Sequence, residues 1–433
     1  MTSSPSDPSR HVSSRRDFLR VSTAASGVLL ASPLAARSHA GGNGKLRIGL
    51  VGCGGRGTGA ALNALRTHPE NVLVAMGDAF TDHLENKLSY LQKDQRCGAQ
   101  VQVDHAHRFV GFDAYKKVID SADVVLLCAT PHFRPRHLAY AVDKGKHIFA
   151  EKPCATDGPG IRSVAETVEK ARKKKLNLVA GLCYRYHEPK VETMQRVHDG
   201  AIGDIVTVQA TYHASQLWHR GKKPDWSEME YQIRNWLYFN WLSGDGITEQ
   251  HIHSLDKVAW VLNDFPTAVT ASGGRSQRTQ EKFGNIYDHF STVYEFKGGQ
   301  KAFCSWRQWD GSARDVSDFA YGTRGMAALQ GHWIKAGGGD WKFPRGQKHR
   351  GMYDEEHVAL FDAIRGKRPV INNGDYLWKS TLMAIMGRMS AYTGKRLTWE
   401  QAFNSKENLA PETYAWGDAP ECKVAIPGVT EFV

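Results

Sequence analysis

No pair of cysteines in this chain stands at the spacing of a metal knuckle or a redox motif. The seven cysteines, at positions 53, 97, 128, 154, 183, 304 and 422, are scattered, which excludes a disulfide framework by design and reads as small buried hydrophobes. Internal repeats and low-complexity tracts are also lacking past the first 40 residues, so solenoid and disordered architectures are not indicated. The positive charge lacks clustering. A formal charge of +11 invites a nucleic-acid partner, but the densest internal run, Lys170-Ala171-Arg172-Lys173-Lys174-Lys175, reads as the solvated end of a helix where cations oppose the dipole. No nucleic-acid partner is expected. What remains is a 433-residue chain with 41% hydrophobic content, enough for two ordinary domains. The 12 tryptophans and 15 tyrosines suit stacking on sugar rings and core filling equally.

Long apolar runs are missing too. The modestly hydrophobic stretch 21–36 is too short and too rich in Ala and Ser for a membrane span. It follows Ser14-Arg15-Arg16-Asp17-Phe18-Leu19 and ends at Ser38-His39-Ala40, a small-x-small cleavage pattern. Residues 1–40 therefore read as a targeting segment, and the pattern resembles a bacterial twin-arginine export signal. That resemblance implies a periplasmic or otherwise exported protein, with no stable membrane span after processing, which folds and loads any cofactor before crossing.

From Leu46 onward, continuous apolar runs of strand length alternate with helical periodicity. Strands are expected at 46–51, 71–78, 123–129, 147–150 and 176–181, with helices between them. This alternation predicts an α/β fold with a doubly wound parallel sheet of Rossmann type over residues 45–183. The pattern then changes. Alternating segments at 205–212, 268–272, 290–296 and 301–306 predict an α+β domain over 184–433 with an open, mostly antiparallel sheet. Helices near 250–262, 355–366 and 376–393 are expected to cover one face of that sheet. The other face is left for a ligand or a second subunit, so a homo-oligomer is expected.

Three constellations carry chemistry. Gly52-Cys53-Gly54-Gly55-Arg56-Gly57 follows a strand and opens a helix. Gly52 can make the tight turn, Gly54 can admit a pyrophosphate, and Gly57 can let helix and sheet approach. Asp78 closes the next strand about twenty residues on, where a carboxylate accepts hydrogen bonds from ribose hydroxyls, which favours NAD over NADP. Arg56 is a candidate phosphate contact or else a solvated loop residue. Second, Glu151-Lys152-Pro153 lies at the carboxyl edge of a strand, where ligands bind in open α/β sheets, and Lys152 there can stabilise a developing oxyanion. Third, in Thr248-Glu249-Gln250-His251-Ile252-His253-Ser254-Leu255-Asp256 the residues Glu249, His253 and Asp256 are spaced i, i+4, i+7 and therefore share one helical face. An imidazole near a carboxylate can exchange the alcohol proton near neutral pH. His251 points elsewhere, and a His-x-His pair on a helix diverges, so no metal is expected.

These motifs resemble the glucose-fructose oxidoreductase and inositol dehydrogenase (Gfo/Idh/MocA) family, in which a Glu-Lys-Pro motif follows the dinucleotide fold and its lysine faces substrate. The family has an aspartate four residues before the histidine, where this chain has Glu249, and a glycine is common where His251 stands. Thr130-Pro131-His132 with His137 is similar to the family's nucleotide-contacting Thr-Pro-Asn loop, with His132 in place of the asparagine. Tyr184-Arg185-Tyr186 is similar to an arginine-aromatic segment entering the active site. Arg234-Asn235-Trp236-Leu237-Tyr238-Phe239 and Tyr287-Asp288-His289-Phe290 look like a pattern of exported members. The resemblance implies catalytic roles for Lys152, His253 and Glu249. It implies cofactor contacts from Gly52, Gly54, Arg56, Gly57, Asp78, Thr130, Pro131, His137 and Glu151, and substrate contacts from Tyr184, Arg185 and Trp236.

The expected function is NAD-dependent hydride transfer on a sugar, polyol or glycoside hydroxyl. Outside the cytoplasm free NAD is expected to be scarce, so the cofactor should stay bound and be recycled. A redox-assisted glycosidase or lyase is the alternative, in which oxidation to a ketone acidifies the neighbouring C–H and elimination expels the leaving group. A sugar sensor that kept the cofactor fold without catalysis is the third reading.

Overall fold

The first sheet is made of six strands: β1 (Leu46–Val51), β2 (Asn71–Asp78), β3 (Arg108–Val110), β4 (Val124–Leu127), β5 (His147–Ala150) and β6 (Leu178–Ala180). In the computed structural model, which describes residues 44–433, they run parallel in the order β3-β2-β1-β4-β5-β6. This is the doubly wound order, whose reversal point between β1 and β4 opens a crevice at the carboxyl ends of the strands. Every residue of β4 is buried, as are Ile48, Leu50, Phe149 and Val179. Helices cover both faces of such a sheet, which is why its strands read as unbroken apolar runs. The basic run at 170–175 does end a helix, Gly158–Lys173, with Lys170, Arg172 and Lys173 in its last turn.

The second sheet has nine strands: β7 (Ile205–Ala214), β8 (Ala268–Gly274), β9 (His289–Glu295), β10 (Lys301–Gln308), β11 (Asp315–Gly322), β12 (Gly325–Ala328), β13 (Trp333–Ala336), β14 (Trp341–Lys342) and β15 (Leu397–Thr398). Their order is β14-β13-β12-β11-β7-β10-β9-β8-β15. All neighbours are antiparallel except β7 and β10, which pair in parallel from Thr207/Lys301 to Ala214/Gln308. Along β10 the side chains alternate. Ala302, Cys304 and Trp306 enter the core, whereas Phe303 is half exposed on the open face. In this sheet five strands, β11 to β15, go beyond those expected from the sequence, as β3 does in the first sheet.

The expectation that three helices cover this sheet needs correction. Ile252–Leu262 and Gly374–Thr393 do pack on it. The latter is buried almost all round, because it lies between the sheet and the helix Gly158–Lys173 of the first domain. Helix Met352–Ile364 instead returns to the first sheet, where Leu360 and Phe361 join the core of Leu50, Phe149 and Val179. Its amphipathic period specifies a buried face but not the partner. All seven cysteines are free, and no helix among the described residues is long and apolar enough to cross a membrane. The twin-arginine segment lies outside the described residues.

Candidate active site

The crevice at the switch point deepens into a cleft of about 550 Å³ that runs from the glycine turn to the second domain. At one end the backbone explains the glycines. Gly52 has φ +92°, and a Cβ there would sit 2.5 Å from the amide nitrogen of Ala129. A Cβ on Gly57 would lie 1.9 Å from the Gly52 carbonyl oxygen. Gly54 has nothing within 4 Å of its Cβ position, so the backbone there is open to a ligand. It also precedes the helix Gly55–Arg66, whose N-terminus no side chain caps. Uncapped N–H groups at a helix start form an anion cradle. Asp78 accepts from Cys53 N (2.6 Å) through Oδ2 and from Phe80 N (3.0 Å) through Oδ1, which fixes the carboxylate at the cleft wall. Thr130 Oγ1 and both ring nitrogens of His137 are buried and have no hydrogen-bond partner among the described residues. Pro131 joins them in the lining. Unsatisfied buried polar atoms facing a cleft are what an absent ligand leaves behind. Burial, helped by Arg136 and Arg134, holds His137 neutral by pushing its pKa well down. The residues present therefore fit a dinucleotide.

At the other end Lys152, carried by the strand end of β5, meets Glu249 from the second domain. Lys152 Nζ donates to the main-chain oxygen of Glu249 at 2.7 Å and to its Oε1 at 3.1 Å. His253 lines the same cleft. Burial, followed by the charges of Lys152, Lys257 and Lys190, pushes its pKa well below the ordinary value, so the ring is a neutral base. Its Nδ1 is buried without a partner.

Glu249 and His253 reach the cleft from two helices rather than one face of a continuous helix. Asp245–Glu249 ends before Ile252–Leu262 begins. The short helix is set by Gly244 and Asp245, both at positive φ, and by Gly246, where a Cβ would strike the Trp306 ring at 2.1 Å. Gln250, at the break, accepts from Trp306 Nε1 (3.0 Å) and Gln308 Nε2 (2.7 Å). Asp245 is buried under bonds from Tyr287 N and Tyr392 Oη, and burial pushes its carboxyl up to about 6. Asp256 does not share the His253 site. It is buried against Arg185 and Ser380.

Several expected roles change. Arg185 is absent from the cleft lining, because its guanidinium is bound to both oxygens of Asp256 and packed between Trp260 and Tyr376. Tyr184 also lies behind the cleft wall, its ring 5.2 Å from that of His253. Trp236 does line the cleft. Arg56 lines the cleft, with 32% of its side chain exposed. It is tied to Glu151 and Glu356 and stacked 4.6 Å over Tyr353. Burial opposes its charge, but these two carboxylates outweigh it and raise its pKa. Glu151 is thus spent on Arg56 while remaining in the cleft wall. His251 is buried near Tyr212, away from the cleft.

Phe80 and Tyr353 carry no signal in the sequence, and Arg234 stands there only as the first residue of the Arg234–Phe239 motif, without a role in the site. Arg234 reaches from the second domain to stack 3.9 Å over Phe80 and pair with Asp82, closing the nucleotide end. Nothing local marks these residues, since their partners are distant in sequence. The tail after residue 404 was missed as well. Tyr414 bonds His132 at 2.8 Å and Trp416 stacks 4.7 Å from Phe112.

Comparisons with known proteins agree with this architecture. Residues 46–181 match the family model described as "Oxidoreductase family, NAD-binding Rossmann fold", and residues 191–328 match "GFO/IDH/MocA C-terminal domain". An inositol 2-dehydrogenase of Paracoccus denitrificans is 26% identical over 241 residues, covering 55% of this chain and 60% of that protein. A glycosyl hydrolase family 109 protein of Solibacter usitatus is 26% identical over 231 residues, 51% of each chain. The chain spans about half the length of the curated relatives it matches. The crystal structure of aldose-aldose oxidoreductase from Caulobacter crescentus shares the fold, with a TM-score of 0.62 and 20% identity over 82% of this chain and 99% of that one.

Proposed function

The chain belongs to the Gfo/Idh/MocA family, with an NAD-binding Rossmann domain at residues 46–181, and from that membership we propose that it is an NAD-dependent oxidoreductase acting on a hydroxyl of a sugar, polyol or glycoside. The observation that supports this most is the convergence of Lys152 and His253, from different domains, on the cleft that begins at the glycine turn. Gly54, Asp78, Thr130 and His137 would hold the dinucleotide. The chemistry that NAD supplies is acceptance or return of a hydride at a carbinol carbon. Neutral His253 takes the hydroxyl proton as general base. Lys152, held by Glu249, donates a hydrogen bond to the same oxygen and stabilises the negative charge that develops there. Trp236 offers an apolar face to the substrate ring.

The relatives include a glycosyl hydrolase family 109 protein, which favours a second reading in which the same oxidation sets up elimination of a glycosidic leaving group. Incubation with an aryl glycoside separates the two. Sugar-dependent NADH accumulation or sugar interconversion supports dehydrogenation, whereas aglycone release without net NADH supports elimination. The twin arginines at 15 and 16 support export, and the open face of the second sheet supports a homo-oligomer. An exported enzyme must bring its nucleotide along. Mass spectrometry of the purified protein is therefore expected to find retained NAD; NADP would overturn the role given to Asp78, and an empty protein would overturn the closed cycle.

A further inference from the structure

The tail past residue 404 crosses the nucleotide end of the first cleft. Its segment 409–417 is pinned at both ends, by bonds to different domains. Leu409 N donates to Asp157 Oδ2 at 3.0 Å, at the start of helix Gly158–Lys173. Gly417 O accepts from Met229 N at 2.9 Å, in helix Glu228–Arg234. Between these pins the chain has no regular structure, and Tyr414 and Trp416 stand at i and i+2, where an extended backbone sends both side chains the same way. Both meet rings that line the cleft. Trp416 lies 5.3 Å from Phe80 and 4.7 Å from Phe112, at interplanar angles of 33° and 38°. Tyr414 lies 6.1 Å from Phe112 and 5.6 Å from Phe133, and its hydroxyl bonds the buried His132.

Phe80, Phe112 and Phe133 stand on three separate loops, those that follow β2, β3 and β4. Loops at the carboxyl ends of such strands wall the nucleotide, and Phe80 N is bonded to Asp78 Oδ1, on the carboxylate assigned to the ribose. Phe80 is also covered by the Arg234 guanidinium at 3.9 Å, from the helix on which Gly417 is pinned. Trp416 itself is absent from the cleft lining and is 47% exposed. It therefore adds little to the core, and its ring contacts fall on the two loops whose separation would open the nucleotide end. We propose that residues 409–417 are a strap over that end, in which Trp416 and Tyr414 are positioning residues that hold the loops of Phe80, Phe112 and Phe133 together and so slow release of the bound dinucleotide. This rests on the oxidoreductase reading above and supplies a physical cause for a cofactor that is retained and recycled.

The test saturates the purified full chain with NADH, chases it with excess NAD and follows the loss of NADH fluorescence. Trp416→Ala is expected to release NADH about tenfold or more faster than wild type, the effect of losing two aromatic contacts, and Trp416→Phe to restore most of the difference. Tyr414→Leu repeats the measurement from the other ring and is expected to speed release as well. Val429→Ser, at a position 70% exposed further along the tail, should release at the wild-type rate. The Tm without nucleotide separates positioning from packing, because a role confined to stability lowers Tm in Trp416→Ala and leaves release unchanged, which overturns the proposal. So does release from Val429→Ser as fast as from Trp416→Ala. Absence of NADH binding by the wild type overturns the oxidoreductase reading and the strap with it, whereas binding with equal release rates in wild type, Trp416→Ala and Tyr414→Leu overturns the strap alone.

Discussion

Lys152 Nζ bonds both the main-chain oxygen and the side-chain Oε1 of Glu249, at 2.7 and 3.1 Å, so the lysine of one domain is positioned by two atoms of a single residue in the other. Only one of those atoms can be removed by mutation. The main-chain bond depends on the helix Asp245–Glu249 being where it is, and the segment is fixed by the buried Asp245 and by the Trp306 ring beneath Gly246.

This double tether predicts graded effects. Glu249→Gln keeps the main-chain acceptor and loses only the charge, so kcat on a sugar substrate should fall about tenfold, consistent with one charge-assisted bond. Lys152→Ala removes the oxyanion donor and should cost roughly 10²–10³ in kcat. NADH binding, followed by fluorescence, should stay within a factor of about two of wild type in both, because neither residue belongs to the nucleotide end. A Glu249→Gln variant with loss equal to that of Lys152→Ala would show that the main-chain bond contributes nothing.

Arg185 offers a different prediction, since its two-oxygen grip on a fully buried Asp256 is structural. Arg185→Met leaves that carboxylate buried and unpaired, which is expected to cost about 3–5 kcal/mol in folding stability. Urea unfolding measures it directly. A stable variant with a raised KM would return Arg185 to the substrate contacts.

What the sequence disclosed follows from how local each signal is. The glycine turn, Asp78 and Lys152 sit beside continuous apolar strands, and a buried parallel strand announces its own end, so both cofactor and lysine could be placed by position alone. His253 was legible as a residue, but the helix carrying it was not. Its break at Gln250 is set by Trp306 and Gln308 on β10, a tertiary contact that periodicity cannot encode. Arg185 was misread for the same reason, its partner lying 71 residues away. The tail from residue 405 has no period at all. It is held by contacts such as Leu409 N to Asp157, Arg388 to Glu407 and Gly428 N to Thr393 O, each of which requires the finished fold.

The buried imidazoles make a prediction about acid. Burial pushes His132, His251 and His357 down to about 3, with Arg136, Lys257 and Arg56 respectively adding to the effect. Each is neutral in the fold, whereas the unfolded chain titrates near the ordinary value of about 6.5. Below that value the unfolded state binds more protons. The stabilisation is therefore complete above about pH 6.5 and is lost as pH falls toward 3, at up to about 1.4 kcal/mol per pH unit for each histidine. Asp245 acts in the opposite sense, since its raised folded value of about 6 gives a contribution that is full below the unfolded value and lost as pH rises through 6. With His137 and His253 also held neutral by burial, the imidazoles outnumber the two raised carboxyls, Asp245 and Glu356, which leaves a net acid sensitivity, and Tm should drop between pH 6.5 and 5. His251 isolates one term, because both its ring nitrogens are buried without partners and it lies outside the cleft. His251→Leu should be more stable than wild type by an amount that grows as pH falls below 6.5. Urea midpoints at pH 7.5, 6 and 5 measure the growth, and a difference that stays constant with pH would mean that the ring takes up its proton equally in the folded and unfolded states.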